Sequence, residues 1–527
     1  MPALRSLPPA NLPAPREAAH SMAVGNKIGR KQQRSLMQAA NHSRLEATWT
    51  STPETADSII FKNLRTLVAR SRSEFLINDY CKHFVRIVRK NVVGPHGIAL
   101  RSTPRGTDGK IDIPAKDAIE EAWKFQSRAG NWDVTGAMSR AAFEQQWIST
   151  VATDGEAFAL IVIGGDAGPT GFALQTIDSQ RIDPAHNEPL ADGRFIRAGI
   201  EYNKFGRPIA YHVADDLPEI YSAFPATRRE RIEADRMIHG FIPELAGQKR
   251  GIPWMHTALW RLRNVKGFED AAVINARVGA AKMGFFADKD DEEGDETDDI
   301  PEEGEDGSGQ SRHDDLIIDA EPGTFQDIGR REFKEFNPQF PETSTGPFIK
   351  GQLRGAASGL GVNYNTLSND LESVNFSSLR LGLIDERDTW QMIQEWMIGN
   401  FEVRVFEAWM DFALLKGTIK VKDRPLRADR RDKYRAALFR GRRWAWVDPK
   451  AEMAAAKIAI DSRIASRTSF IEDHGSGPAW DTFEEMAQEE QDMKELGVSI
   501  PTTPGAGVMG TGTTPPTDDD DNDETDA

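Results

Sequence analysis

Few of the residues that could carry chemistry stand at spacings that chemistry needs. The one Gly-x-Gly-x-x-Gly pattern, Gly505, Gly507 and Gly510, lies in a stretch of Thr, Pro and Gly. It has neither the strand pattern before it nor the helix pattern after it that a dinucleotide-binding turn requires. The run from Asp288 to Asp306 holds 13 Asp and Glu against one Lys, but it lacks the ligand spacing of a calcium loop. The ten His are scattered, and none stands at zinc-ligand spacing from another His or from Cys81. The chain has no G-x-x-x-x-G-K-[ST] phosphate loop, no G-x-S-x-G elbow and no H-E-x-x-H pair. The expectation is therefore no catalytic residue, no metal and no cofactor.

Two segments remain that could touch a ligand. "NYNTLSNDLESVNFSSLRLGLIDERDTW" begins at Asn363, opens rich in Asn and Ser, and passes straight into a long helical pattern. Asp370 and Glu372 are two apart, so they need not share a helix face. "RPLRADRRDKYRAALFRGRRWAW" concentrates Arg430, Arg431, Arg435, Arg440, Arg442 and Arg443 beside Trp444 and Trp446. These arginines could bind phosphates, or they could pair with carboxylates between subunits.

The elements that must hold these segments come from a chain of 527 residues, long enough for several domains. The single cysteine rules out an internal disulfide framework and fits a reducing compartment. No signal peptide is expected from the Pro-rich start, and no apolar run approaches the ~20 residues that cross a bilayer. The net charge of −17 is uneven: residues 288–306 carry −12, residues 518–527 carry −7, and the remainder is +2. The body is near neutral, with two solvated acidic segments attached.

Along the chain, a flexible arm leads to "SRSEFLINDYCKHFVRIVRKNVVG". Ser71 and Glu74 predict a capping box there, and Gly94 a helix stop. After two more amphipathic stretches, "EAFALIVIGG", "GFALQTID", "FIRAGIEYN" and "RPIAYHVAD" predict short strands, with a hairpin at 203–208. This is an α+β pattern, not a βαβ array. Pro253 predicts the start of a helix whose Ala- and Gly-rich second half permits a close neighbour. "DDLIIDAEPGTFQDI" has strand character, and "PFIKGQLRGAASGLG" predicts a short helix ending at Gly359 or Gly361. The helix that follows would run about 40 residues, ~60 Å. Its tryptophans need neighbours on several sides, some from other subunits.

Five ordered blocks resemble the lambda-type family of tailed-phage portal proteins. They are "ARSRSEFLINDYCKHFVRIVRKNVVGPHGIALR", "DGEAFALIV" with "LQTIDSQRID", "RMIHGFIPELAGQKRGIPW", "GLGVNYNTLSNDLESVNFSSLRLGLIDERDTW", and "WVDPKAEMAAAKIAIDSRIASRTSFIEDHG". The resemblance spans roughly residues 60–480; the acidic run and the tail depart from it. It implies an α+β portal fold in a cyclic ring of about twelve subunits. Its expected parts are an arm (1–55), an α/β wing (56–252), a first stem helix (253–284) and a clip (285–345) with a disordered acidic insertion (288–312). A second stem helix (346–361), a tunnel loop (362–378), a long helix with further wing (379–447), helical crown (448–497) and disordered acidic tail (498–527) follow.

The implied function is the ring at the capsid vertex of the virion, assembled in the host cytoplasm, through which DNA is packaged and ejected. The implied partners are double-stranded DNA without sequence preference, the terminase large subunit, a head-tail adaptor, and the major capsid and scaffold proteins, with no membrane. On this map Asn363, Asn365, Thr366, Ser368, Asn369, Asn375, Ser377 and Ser378 face the DNA. Arg430, Arg431, Arg440, Arg442 and Arg443 contact phosphate or a neighbouring subunit. The loop has no Lys or Arg before Arg380. Fixed phosphate contacts add affinity and would arrest sliding, whereas Asn, Ser and Thr offer weak, exchangeable hydrogen bonds. Asn and Ser also suit plain turns. Two other functions compete. A metal-dependent DNA-processing enzyme needs carboxylates on ordered elements, and a minor capsid or scaffold protein would have extended helices without the α+β wing.

Overall fold

A computed structural model describes residues 52–214, 228–280, 284–288, 331–335, 342–372, 376–444, 449–474 and 479–497. Helices α1 (Ala56–Ile77) and α2 (Asp79–Val92) lead to strand β1 (Ala99–Ser102) and helices α3 (Ile113–Gln126) and α4 (Arg140–Asp154). Two antiparallel sheets follow. One has the order β3-β2-β9, from β2 (Glu156–Ile163), β3 (Phe172–Ile177) and β9 (Met237–Phe241). The other runs in sequence through β4 (Glu188–Pro189), β5 (Phe195–Arg197), β6 (Ile200–Tyr202), β7 (Pro208–Ala214) and β8 (Arg229–Glu233). The fold is thus mixed helix and sheet, as the strand and helix patterns predict.

Local signals were met unevenly. Gly94, at φ 74°, ends α2 with its N–H on Arg89 O at 3.0 Å, and Gly206, at φ 83°, turns the β6–β7 hairpin. The capping box, however, is not a cap. Ser71 and Glu74 lie buried inside α1, and the break comes at Asn78, whose side chain accepts from Tyr80 N and Cys81 N. Asn is as good an N-cap as Ser, and tertiary burial claims Ser71 and Glu74 instead. "FIRAGIEYN" is two strands, not one, turned at Ala198 (φ 49°) and Gly199 (φ 79°). Pro253 opens a turn, and helix α5 (Leu259–Ala280) starts only after it.

The five strands around β6 pack one face into a small core of Phe158, Tyr202, Tyr211 and Met237. The larger core gathers aromatic residues from α3, α4 and the long helix. Trp147 stacks on Trp396 at 5.6 Å, and Trp123 meets Trp132, Phe406 and Trp409 edge-on. Such pairs each add ~1 kcal/mol beyond the area they bury. Gly240 is obligatory here, because a Cβ on it would lie 2.2 Å from the Trp147 ring. Cys81 is buried, and burial pushes its thiol up to about 12, so it packs as a small apolar group.

One buried junction ties the two sheets together. Arg250, 1% exposed, donates Nε to both oxygens of Glu156 (2.8 and 2.9 Å) and Nη1 to Ile182 O (3.1 Å) and Ala198 O (2.7 Å). His239 Nε2 lies 3.0 Å from Glu156 and Gly251 N donates to it at 3.1 Å. Burial alone would raise this carboxyl, but Arg250 and His239 outweigh it and hold it down to about 2. The Arg-Gly-x-Pro-Trp run beginning at Arg250 thus has a structural explanation. Gly251 and Gly155 cross so closely that a Cβ on Gly251 would sit 2.0 Å from Gly155 O.

Strands β10 (Gly284–Asp288) and β11 (Arg331–Glu335) pair antiparallel, and the acidic run between them lies outside the described residues. The strand expected at 314–328 lies outside them too. Helix α6 (Glu342–Leu360) packs along α5. The close approach uses Gly359 and Gly355 of α6, against Thr257 and Arg261, rather than Gly267, whose Cβ would meet nothing within 4 Å. After the loop comes a short turn of helix, α7 (Tyr364–Ser368). Helix α8 (Phe376–Met397), a π turn (Ile398–Glu402) and helix α9 (Val403–Lys416) then form one unbroken rod. Beyond it lie β12 (Lys420–Val421), β13 (Arg424–Pro425), helix α10 (Arg431–Tyr434) and β14 (Ala437–Arg440), the last paired with β1. Helices α11 (Pro449–Asp461), α12 (Arg467–His474) and α13 (Ala479–Glu495) follow, and Trp480, Met453, Ile458 and Ile464 in this region are exposed. No helix among the described residues is long and apolar enough to cross a membrane.

Candidate functional site

The segment from Gly361 to Glu372 follows α6, and its shape follows from how that helix ends. Gly361 adopts φ 67°, and Val362 N returns to Ala357 O at 3.1 Å, a closure that satisfies the last carbonyls of the helix. Asn363 is extended, α7 makes one turn, and Leu367 drives into the core at 1% exposed. Asn369 then takes φ 54°, a left-handed position that Asn tolerates better than most residues.

One acid organises this loop. Glu386 of α8, 5% exposed, accepts from Asn363 N (3.2 Å), Asn363 Nδ2 (2.9 Å) and Thr366 Oγ1 (2.9 Å) on Oε2. Its Oε1 accepts from Trp390 Nε1 at 3.2 Å. Asn363 Nδ2 also donates to Gly382 O at 2.6 Å, and His83 Nε2 lies 3.0 Å from Thr366 O. Ser368 Oγ donates back to Tyr364 O at 2.8 Å. The side chains of Asn363, Thr366 and Ser368 therefore brace the loop from within the protomer.

The outer face is different. Asn365 is half-buried, and Asn369, Leu371 and Glu372 are exposed. Asp370 accepts from Tyr364 Oη at 2.8 Å and pairs with Lys350 at 3.2 Å, and these two partners hold its carboxyl below the usual range. Lys350 and Arg354 also stand 5.5 and 5.6 Å from the Tyr364 ring. The loop's own sequence has no early cation, but α6 supplies two. Asn375 lies outside the described residues; Ser377 and Ser378 lie on the first turn of α8. Sequence reasoning missed Glu386, Lys350 and Arg354. The only sequence signal for Glu386 is its i,i+4 spacing from Trp390.

The basic segment divides in the same way. Arg442 Nη1 donates to Lys90 O at 2.8 Å and Asn91 Oδ1 at 2.9 Å, at the carbonyl end of α2 where a cation is favoured. Burial, with Arg387 nearby, lowers its pKa. Trp444 Nε1 shares Asn91 Oδ1 at 3.1 Å, and Arg435 grips Asp411 with both ends of its fork. Arg430, Arg431, Arg440 and Arg443 are exposed, and Arg431 has Asp432 at 3.9 Å. Trp446 lies outside the described residues. Among the described residues, no group of three or more His, Cys, Asp or Glu could hold a metal ion.

With this geometry in place, comparison with known proteins gives a consistent result. A family model described as "Phage portal protein, lambda family" matches residues 42–394. A relative named "Probable portal protein", from Halomonas phage phiHAP-1, is 35% identical over 492 residues, covering 92% of this chain and 91% of that one. Among solved structures, the neck of an empty GTA particle matches at TM-score 0.38 and 14% identity, over 82% of this chain and 97% of that one. The virion of a native gene transfer agent particle matches at TM-score 0.38 and 13% identity, over 85% and 99%.

Proposed function

The chain belongs to the lambda family of phage portal proteins, and from that membership we propose that it forms the ring at one capsid vertex through which DNA is packaged and ejected. The ring has about twelve copies in cyclic symmetry. It assembles in the host cytoplasm with the major capsid and scaffold proteins, then docks the terminase large subunit and a head-tail adaptor. It conducts DNA and catalyses nothing itself. The helices α5 and α6 act as the stem, residues 56–252 as the wing, and the helices after residue 448 as the crown.

The observation that carries the DNA contact is the braced loop. Glu386 consumes the hydrogen-bonding groups of Asn363 and Thr366, which supports a stiff loop whose outward groups are Asn365 and Asn369. The DNA-facing role expected of Asn375, Ser377 and Ser378 is part of the same proposal. Lys350 and Arg354 are tempered by Asp370 and the Tyr364 ring, so the collar touches phosphates weakly and lets them slide. The exposed Arg430, Arg431, Arg440 and Arg443 make contacts between neighbouring subunits.

The test combines assembly and transport. Purified protein viewed in negative stain should show rings with a central hole. The double variant Asn365→Arg and Asn369→Arg should form the same rings and package shorter DNA, because each substitution recurs about twelve times as a belt of positive charge. Alanine at both positions should do less, since each lost hydrogen bond is worth ~1 kcal/mol at most. Normal rings with full-length packaged DNA in the arginine variant would remove these residues from the channel.

A further inference from the structure

The N-terminal end of α4 carries a buried cluster that the portal function does not use. Arg140 and Glu144 lie one turn apart, Glu402 ends the π turn facing them, and both carboxyls are 0% exposed. Arg140 Nη1 donates to Ile98 O at 2.6 Å and to Glu144 Oε1 at 2.5 Å, while Glu402 Oε2 stands off at 3.6 Å. The other Glu144 oxygen accepts Ile98 N at 2.9 Å. Gly97 leaves room for it, since a Cβ there would lie 2.8 Å from that oxygen.

Glu402 has no such partners. No N–H donor lies within hydrogen-bond distance of either of its oxygens, and its carboxyl converges with that of Glu144 on the same nitrogen, Arg140 Nη1. Two buried carboxylates beside a single guanidinium, which is hydrogen-bonded to only one of them, leave an uncompensated negative charge in a dry core. The other charged groups on the packed elements are spent elsewhere. Arg404 donates to Ala234 O and Met237 O, His239 is held by Glu156, Glu407 faces Arg435, and Glu395 is exposed.

We propose that Glu402 is kept as the neutral acid and donates its proton to Glu144, so that this shared proton latches the π turn of the long rod onto α4. Burial, and then the adjacent Glu144 charge, push the Glu402 carboxyl well above its ordinary range, in the direction this arrangement requires. Burial raises the Glu144 carboxyl as well, but the Arg140 guanidinium and the Ile98 N–H oppose that shift, so Glu144 is the acceptor of the pair. The π turn carries Phe401 and Glu402 into the core on successive residues, and π turns in long helices often mark functional joints. Raising the pH removes the shared proton and loosens the rod at this joint.

The test uses the full-length protein carrying labelled glutamate. At neutral pH the infrared spectrum should show the carbonyl stretch of one protonated carboxyl per chain, and the band should be lost in Glu402→Gln. The sign of the linked stability follows from an acid whose folded pKa is raised. Its stabilisation is full below the unfolded value, near 4.5, and falls as pH rises through the folded one. The unfolding midpoint of Glu402→Gln should therefore gain on the native protein as pH rises above about 5. Hydrogen exchange at 398–402 should speed up with pH beyond the intrinsic rate in the native protein alone. Glu144→Gln, which keeps an acceptor for Ile98 N and frees Arg140 for Glu402, provides a second variant in which the band should vanish. A native protein without the band, or parallel pH profiles for native and Glu402→Gln, would overturn the latch.

Discussion

The two ends of helix α4 bury acids in opposite ways. At its start, one guanidinium serves two carboxyls, Glu144 and Glu402. Just past its end, Glu156 alone receives Arg250, His239 and a backbone N–H. Glu156 and Glu402 are almost equally buried, at 1% and 0% exposed, so desolvation cannot separate them. The difference is the count of opposing charges and donors. With donors in excess, the Glu156 carboxyl is held down to about 2. With donors exhausted, the Glu402 carboxyl is pushed up. Burial sets the stakes of a buried acid, and its partners set the direction.

The largest blow to this contrast is Arg250→Ala. It leaves Glu156 buried without its cation and frees the carbonyls of Ile182 and Ala198, so unfolding in urea should show a loss of about 3–5 kcal/mol. A loss under ~1 kcal/mol would mean that Glu156 simply takes up a proton at little cost.

A pH series sharpens the contrast. Glu156 has a lowered folded pKa, so its contribution is present above the unfolded value near 4.5 and is lost as pH falls through about 2. His239, whose pKa burial lowers, works in the same direction. The gap in unfolding midpoint between the native protein and Glu156→Gln should close on acidification from about pH 5 to about pH 2. This is the reverse of the Glu402 trend, and a gap that widens in acid would break the comparison.

The smallest effect belongs to Glu386, an intermediate case whose donors are numerous but neutral. Glu386→Gln keeps an acceptor but cannot serve Asn363, Thr366 and Trp390 at once, and should cost about 1–2 kcal/mol. Amide exchange should accelerate across residues 361–372 and leave the sheets unchanged. Uniform exchange in native and variant would show that the loop is held by Leu367 alone.

How much of this was legible beforehand depends on the range of the interaction. Gly94, the 203–208 hairpin and the long rod after residue 376 can be read locally, because a turn residue or an apolar period needs no distant partner. The same local rules misplace a helix start at Ser71, which lies buried inside α1. For the tunnel loop, the sequence supplies the polar composition, but it cannot tell an Asn that braces from an Asn that faces outward. Asn363 lies within reach of Glu386, far along the chain, whereas Asn369 is exposed in a left-handed turn.

By itself the sequence determined the family, the alternation of helices and strands, and the polar character of the loop, since order of motifs, period and composition are all properties of neighbours in the chain. Only the tertiary structure decided which buried acids are held down and which are pushed up, which loop residues are exposed, and which arginines are structural. Arg250 meets Glu156 from 94 positions away, and Arg442 meets Lys90 from 352. A charge buried in a core takes its state from whatever the fold brings within a few ångströms, and no pattern along the chain encodes that distance.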